Sequence, residues 1–174
     1  MYAFISEKPY IEYHAGRLVR KVSSNTWHSL VMLAMGTILR RCAGGRGRVG
    51  PEWHFDMSVQ LGTKTILVPD VAFVARERLF GLSADFLQVP GFAPDIAVEI
   101  RSPNDRPGEG AWKIGAYLEA GSALVLDISP QDRTIRAIAP SFEDSIFAAG
   151  QTFEHPAAPW LVFDVDEVFA DLTI

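Results

Sequence analysis

Two hydrophobic periods alternate along the chain, and the places where one gives way to the other mark its elements. Tyr10–Tyr13 and Arg17–Val22 are short β-forming runs around His14-Ala15-Gly16, which predicts an N-terminal β-hairpin with Gly16 in the turn. Ser23-Ser24-Asn25 then reads as a helix N-cap cluster. From Trp27 to Cys42, apolar residues recur at helical spacing through Leu30, Val31, Ala34, Ile38 and Leu39, predicting a helix with one buried stripe. Gly44–Arg48 is glycine-rich and predicts a flexible loop. Between Glu52 and Leu61 the period becomes two. Trp53, Phe55, Met57, Val59 and Leu61 share one side, which predicts a half-buried strand. Gly62-Thr63-Lys64 turns into a second strand, Thr65–Val74, interrupted at Pro69-Asp70 because proline has no ladder donor.

Arg76–Gly91 reads as a connector with a short helical piece, and Pro94–Arg101 as a third strand. Gly108–Gly121 predicts a helix with Gly121 at its C-terminal cap. Ala123–Ile128 and Thr134–Ala139 supply two more strands, and the remainder reads as short strands and turns closing the sheet. Strands and helices interleaved in this way predict one α/β domain over residues 1–174 with a mixed sheet.

The longest apolar stretches, such as Leu30–Met35, fall far short of the roughly 20 residues a bilayer span needs. No membrane partner is expected. Met1–Pro9 lacks an apolar signal core, so the expectation is a cytoplasmic protein. A single cysteine excludes an internal disulfide and any multi-cysteine zinc site, and the apolar neighbours of Cys42 place it in the core.

Net charge is −5, which by itself argues against nucleic acid, but its distribution is uneven. Tyr13–Pro51 holds no acidic residue and seven basic ones: Arg17, Arg20, Lys21, Arg40, Arg41, Arg46 and Arg48. Ser141–Ile174 holds seven acidic residues and no Lys or Arg. Two readings follow: an anion-binding face opposite an acidic one, or two ends that neutralise each other within a chain or across a dimer. Arg40 and Arg41 also suit the negative end of their helix.

Two carboxylates interrupt otherwise apolar strands: Asp70 within Ile66–Val74, and Glu99 within Ile96–Ile100. Burying an ionised carboxylate costs several kcal/mol unless a cation or several donors meet it. Strand parity puts Asp95, Ala97, Glu99 and Arg101 on one face, with Ile96, Val98 and Ile100 on the other. If the strands are neighbours, Asp70 and Glu99 can share a metal ion. Oxygen ligands without His or Cys suit Mg²⁺ or Mn²⁺, which can polarise a phosphodiester and activate water. Lys113, one element later, can position that water or neutralise charge. The plainer alternatives are a turn-capping Asp70, a Glu99 paired with Arg101 or Arg106, and a solvated Lys113. His28 reads as a capping or packing residue before a phosphate contact, and Tyr117 as packing before orienting the lysine.

In order and spacing, Val68-Pro69-Asp70-Val71, Asp95–Pro103 with Glu99, and Lys113 followed by Tyr117 and Gly121 resemble the Uma-two group of the PD-(D/E)xK nuclease superfamily. Ile11–Val19 is similar to that group's opening hairpin, His28-Ser29 to its first helix, Pro51-Glu52 to its first central strand, and Pro159–Phe169 to its closing segment. The resemblance implies a restriction-endonuclease-like α/β fold, a mixed central β-sheet flanked by helices with an N-terminal β-hairpin. It implies a Mg²⁺- or Mn²⁺-dependent endonuclease acting on DNA, with Asp70 and Glu99 as metal ligands and Lys113 handling the attacking water. Arg101 stands where the superfamily pattern has its lysine, so the lysine role passes to Lys113, with Arg101 the other candidate basic group. Glu12 and Glu52 match acidic positions of the group, and Glu52 either extends the metal site or is an exposed strand carboxylate. Family members are expected to be homodimers, and Trp160–Phe169 offers an apolar surface for one. The competing reading is a non-catalytic nucleic-acid- or protein-binding module that keeps the site as a remnant.

Overall fold

The computed structural model describes residues 10–21 and 25–172. The hairpin forms from β1 (Ile11–His14) and β2 (Arg17–Arg20), with Glu12 opposite Val19. Val22, Ser23 and Ser24 lie outside the described residues. Asn25 alone accounts for the described cap of α1 (Thr26–Ala43): its side chain accepts from the His28 N–H at 2.9 Å. Gly44, in the left-handed region at φ 51°, ends the helix.

The chain then departs from the pattern-based expectation twice. Gly47–Pro51 is not a flexible loop but strand β3, antiparallel to β6 (Val71–Ala75). Gly47 is required there, since a side chain would collide with the Val74 carbonyl and the Phe73 ring. The expected strand Glu52–Leu61 shrinks to β4 (Phe55–Asp56) and is followed by a short helix, α2 (Ser58–Leu61). Two local features break it. Glu52 takes a left-handed φ of 49°, and the Asp56 carboxylate accepts from the Ser58 backbone N–H at 3.1 Å and from its hydroxyl. The alternation still marks the inward residues Phe55 and Met57, whereas Val59 is 87% exposed.

The expected Thr65–Val74 strand is two strands in two sheets, β5 (Ile66–Leu67) and β6, divided at Pro69-Asp70. After the short helices α3 (Arg76–Leu79) and α4 (Ala84–Gln88) come β7 (Ile96–Ile100), α5 (Glu109–Glu119), β8 (Leu124–Ser129) and β9 (Thr134–Ile138). Helix α5 stops at a C-cap on Ala120, with Gly121 following at φ 104°. The end of the chain holds β10 (Ser145–Ala148), β11 (Thr152–Phe153), β12 (Phe163–Asp164), an unexpected helix α6 (Val165–Phe169) and a 3-10 turn, Ala170–Leu172.

The larger sheet runs β10-β9-β8-β7-β6-β3, antiparallel except where β7 and β8 run parallel, joined through α5. A second sheet, β2-β1-β5-β4, carries the hairpin. Strands β6, β7 and β8 are largely apolar and buried because both faces of the sheet are covered, with Glu99 and Asp127 the charged exceptions. Val31, Met35, Ile38 and Leu39 of α1 pack with Ile96, Val98 and Ile100 on one face, and Ile114, Ala116 and Tyr117 of α5 with Ala97 and Val125 on the other. This is an α/β fold with a mixed central sheet flanked by helices and an N-terminal β-hairpin. Leu161, Phe163, Val165, Val168 and Phe169 belong to the first core. Most of the C-terminal apolar run is therefore used in packing, with Val162 left 47% exposed and Trp160 part-buried. Cys42 is half-buried rather than fully buried, its Sγ lying 3.4 Å from the Val162 carbonyl.

Candidate functional site

Antiparallel pairing of β6 with β7 sets Val71 against Val98, so one step outward along the same register Asp70 faces Glu99. Backbone bonds hold that step in place: the Asp70 N–H donates to the Val98 carbonyl at 2.9 Å, and the Glu52 N–H donates to the Asp70 carbonyl at 3.1 Å. Parity on β7 is as expected. Ile96, Val98 and Ile100 point into the α1 core and Glu99 emerges on the α5 side, where Lys113 meets it one turn inside the helix.

Asp70 is almost completely buried, and donors surround it. Its Oδ2 accepts the Ile100 backbone N–H at 2.7 Å and lies 3.1 Å from His28 Nε2. Its Oδ1 lies 2.7 Å from the Lys21 ammonium, which also donates to the Val68 carbonyl at 2.9 Å. Burial alone would raise the Asp70 pKa, but Lys21 and the His28 contact outweigh it and hold the carboxyl well below its usual range.

A second set of bonds runs through Lys113. The ammonium donates to Glu99 Oε2 at 2.8 Å and lies 3.1 Å from Glu12 Oε1. Glu99 Oε1 accepts the Tyr117 hydroxyl at 2.8 Å. Glu12 Oε1 also accepts the Val68 N–H at 2.9 Å, and its Oε2 lies 2.9 Å from His14 Nε2. The two glutamates differ in outcome. Burial, reinforced by the nearby Asp70 and Glu12 charges, outweighs Lys113 and pushes Glu99 up to about 7. For Glu12, burial is outweighed by Lys113 and by the His14 bond, and its pKa falls to about 2. Lys113 is raised above the ordinary lysine value, because three carboxylates more than offset its burial. It remains an ammonium at neutral pH.

Asp70, Glu99 and Lys113, drawn from the start of β6, from β7 and from α5, thus line one cleft, with Lys21, His28 and Arg101 beside them. Glu52 does not. It sits at the β3 end in a left-handed turn, outside the lining residues, and its backbone serves to hold Asp70. Arg101 is engaged elsewhere, in a bidentate pair with Asp127 at 2.8 and 2.6 Å. Glu99 accordingly pairs with Lys113 rather than with Arg101 or Arg106. Tyr117 packs and also orients, but it orients the glutamate rather than the lysine. Lys21 was not singled out by the sequence, where a lysine at the end of a polar hairpin looks like an ordinary surface residue.

Glu12, His14 and Glu109 each offer a ligand atom, all within 4.8 Å of one another, a mixed oxygen–nitrogen cluster capable of coordinating a divalent metal. Asp70 and Glu99 offer hard oxygen donors on the cleft floor, of the type that suits Mg²⁺ or Mn²⁺. The charges there also fit a cation, because three carboxylates (Glu12, Asp70, Glu99) face two ammoniums (Lys21, Lys113).

Comparison with solved structures agrees with the fold class. A crystal structure described as a "putative nuclease belonging to DUF820", from Anabaena variabilis ATCC 29413, superposes with a TM-score of 0.82 at 19% identity, covering 94% of this chain and 92% of that one. At that identity the likeness establishes the fold alone. Family comparison goes further: the Uma2 family model, described as "Putative restriction endonuclease", matches residues 1–166. The chain belongs to the Uma2 family, within the PD-(D/E)xK nuclease superfamily. No match was found among the curated proteins. Among the described residues, no helix is long and apolar enough to cross a membrane.

Proposed function

We propose that this protein is a Mg²⁺- or Mn²⁺-dependent endonuclease that hydrolyses DNA phosphodiester bonds at the Asp70–Glu99–Lys113 cleft. The observation that carries the reading is the meeting of two strand-borne carboxylates and a buried lysine, from three separate elements, in one cleft of a Uma2-family chain. Asp70 and Glu99 would hold the cation, with Glu12 supporting it through Lys113. A divalent ion bound there would polarise the phosphodiester and acidify a water.

The protein's own groups supply the rest. The Ile100 N–H and His28 fix Asp70 Oδ2, and Tyr117 and Lys113 fix the two Glu99 oxygens, so the donor atoms are set before any ligand arrives. Lys113, held protonated, cannot accept the proton of an attacking water. Its role is to donate a hydrogen bond and to offset negative charge developing on phosphate. The reaction adds water across a P–O bond, leaving a phosphate monoester and a free hydroxyl.

One observation favours the non-catalytic binding module instead: Asp70 Oδ2 and both Glu99 oxygens already accept protein hydrogen bonds, and Asp70 Oδ1 lies against the Lys21 ammonium. Cleavage of supercoiled plasmid and single-stranded DNA in Mn²⁺ separates the two. The endonuclease reading expects nicking by wild type, reduced at least 100-fold in Asp70→Asn and Lys113→Ala that remain folded by circular dichroism. DNA binding in EDTA with no cutting by folded wild type would establish the module, and equal cutting by all three proteins would refute the site. A homodimer belongs to the same reading, and light scattering should then give twice the chain mass.

A further inference from the structure

Only one oxygen of Asp70, Oδ1, is without a hydrogen-bond donor. Its Oδ2 is committed to a strand N–H that cannot leave without opening β7, and to the ring of a buried histidine. Oδ1 has no backbone donor; its neighbour is the Lys21 ammonium at 2.7 Å, and both residues line the cleft. The two lysines of the site are not equivalent. Lys113 rises from a packed helix and is clamped between two carboxylates at 2.8 and 3.1 Å, with 7% of its side chain exposed. Lys21 has one carboxylate and one neutral carbonyl, Val68 O, as acceptors, and 14% of its side chain is exposed. Its backbone is fixed, since the Lys21 N–H donates to the Tyr10 carbonyl at 2.9 Å, but four rotatable carbons separate that anchor from the charge.

We infer that the Lys21 ammonium is a resident counter-ion of Asp70 that a divalent cation displaces, so that metal entry and the release of Lys21 into the cleft are a single event. This rests on the reading that Asp70 is a metal ligand. An ammonium and a divalent cation cannot share Oδ1 at contact distance, because Coulomb repulsion between them is strong in a cleft with little water. Yet a buried Asp70 carboxylate without any cation would be costly. Lys21 resolves the conflict: it neutralises Asp70 while the metal is absent and yields the position when the metal arrives. Metal affinity is weakened by that exchange. The released ammonium remains tethered at the cleft, where it can meet a phosphate.

Mn²⁺ binding by calorimetry or electron paramagnetic resonance tests this without any turnover. Lys21→Met should bind Mn²⁺ at least tenfold more tightly than wild type, whereas Lys21→Arg, which keeps the charge, should not. A second measurement needs only wild-type protein: amine acylation mapped by mass spectrometry should label Lys21 several-fold faster in Mn²⁺ than in EDTA, with no such change in Asp70→Asn. Mn²⁺ affinity equal in wild type and Lys21→Met, or Lys21 labelling indifferent to bound Mn²⁺, would overturn the inference while leaving the metal site intact. If neither wild type nor Lys21→Met bound Mn²⁺, the inference and the metal-site reading would fall together.

Discussion

At the scale of single residues, the cleft shows how a folded chain tolerates carboxylates inside apolar strands. Asp70 and Glu99 were legible from sequence because each breaks a run of buried residues, and a charge in such a run requires a partner. Their partners were less legible. Lys113 was a candidate from its place one element after Glu99, strengthened by family resemblance, and Lys21 came from neither, since nothing local distinguishes a lysine that folds back on Asp70 from one that stays in water. Glu99 gives a test that needs no metal. Its pKa rises from 4.5 to about 7 on folding, so in the metal-free protein the folded chain holds that proton more tightly than the unfolded chain. The associated stability is present below the ordinary carboxyl value and is lost as pH rises to about 7. Glu12 acts in the opposite sense: lowered from 4.5 to about 2, it stabilises above the ordinary value and is lost only as pH falls toward 2. Glu99→Gln should therefore flatten the decline at the upper end and raise metal-free stability near pH 7.5 by about 1–3 kcal/mol, read by urea denaturation. An unchanged pH profile would remove the buried-carboxyl account of Glu99.

Among the elements, periodicity located most of the larger sheet and both long helices, but it failed where a tertiary contact decides the conformation. Gly44–Arg48 looked flexible because glycine is permissive. In the fold the permissiveness has a specific use: Gly47 lets β3 approach β6, with the Val74 carbonyl and Phe73 ring where a side chain would stand. Gly47→Ala should therefore lower stability by about 1–3 kcal/mol, with the loss visible as a reduced unfolding midpoint. An unaffected midpoint would mean that β3 is not packed as described. The alternation of Glu52–Leu61 identified the buried Phe55 and Met57 correctly, yet it could not reveal the left-handed turn at Glu52 or the Asp56 cap that ends the strand. The left-handed turn at Glu52 lies before β4 begins at Phe55, so the strand expected to carry Glu52 does not include it.

Across the whole molecule, the uneven charge resolves partly into internal pairing. Arg41 of the basic region forms a bidentate pair with Glu167 of the acidic end at 2.7 and 3.0 Å, and Lys21 is drawn into the cleft. Arg17, Arg20, Arg40 and Arg48 are exposed and pair with no carboxylate among the described residues, which leaves basic groups for an anionic partner. The internal-pairing reading of the charge pattern thus holds in part, and only the three-dimensional placement could show which arginines it takes up. The same placement joins hairpin, sheet and α5 at one cleft and sets the Glu12–His14–Glu109 cluster beside it. Anomalous scattering from crystals equilibrated with Mn²⁺ distinguishes them directly. The account predicts a peak bound by Asp70 and Glu99, with the Lys21 ammonium moved off Asp70. A peak only at Glu12, His14 and Glu109, or none at either place in crystals equilibrated with millimolar Mn²⁺, would contradict it.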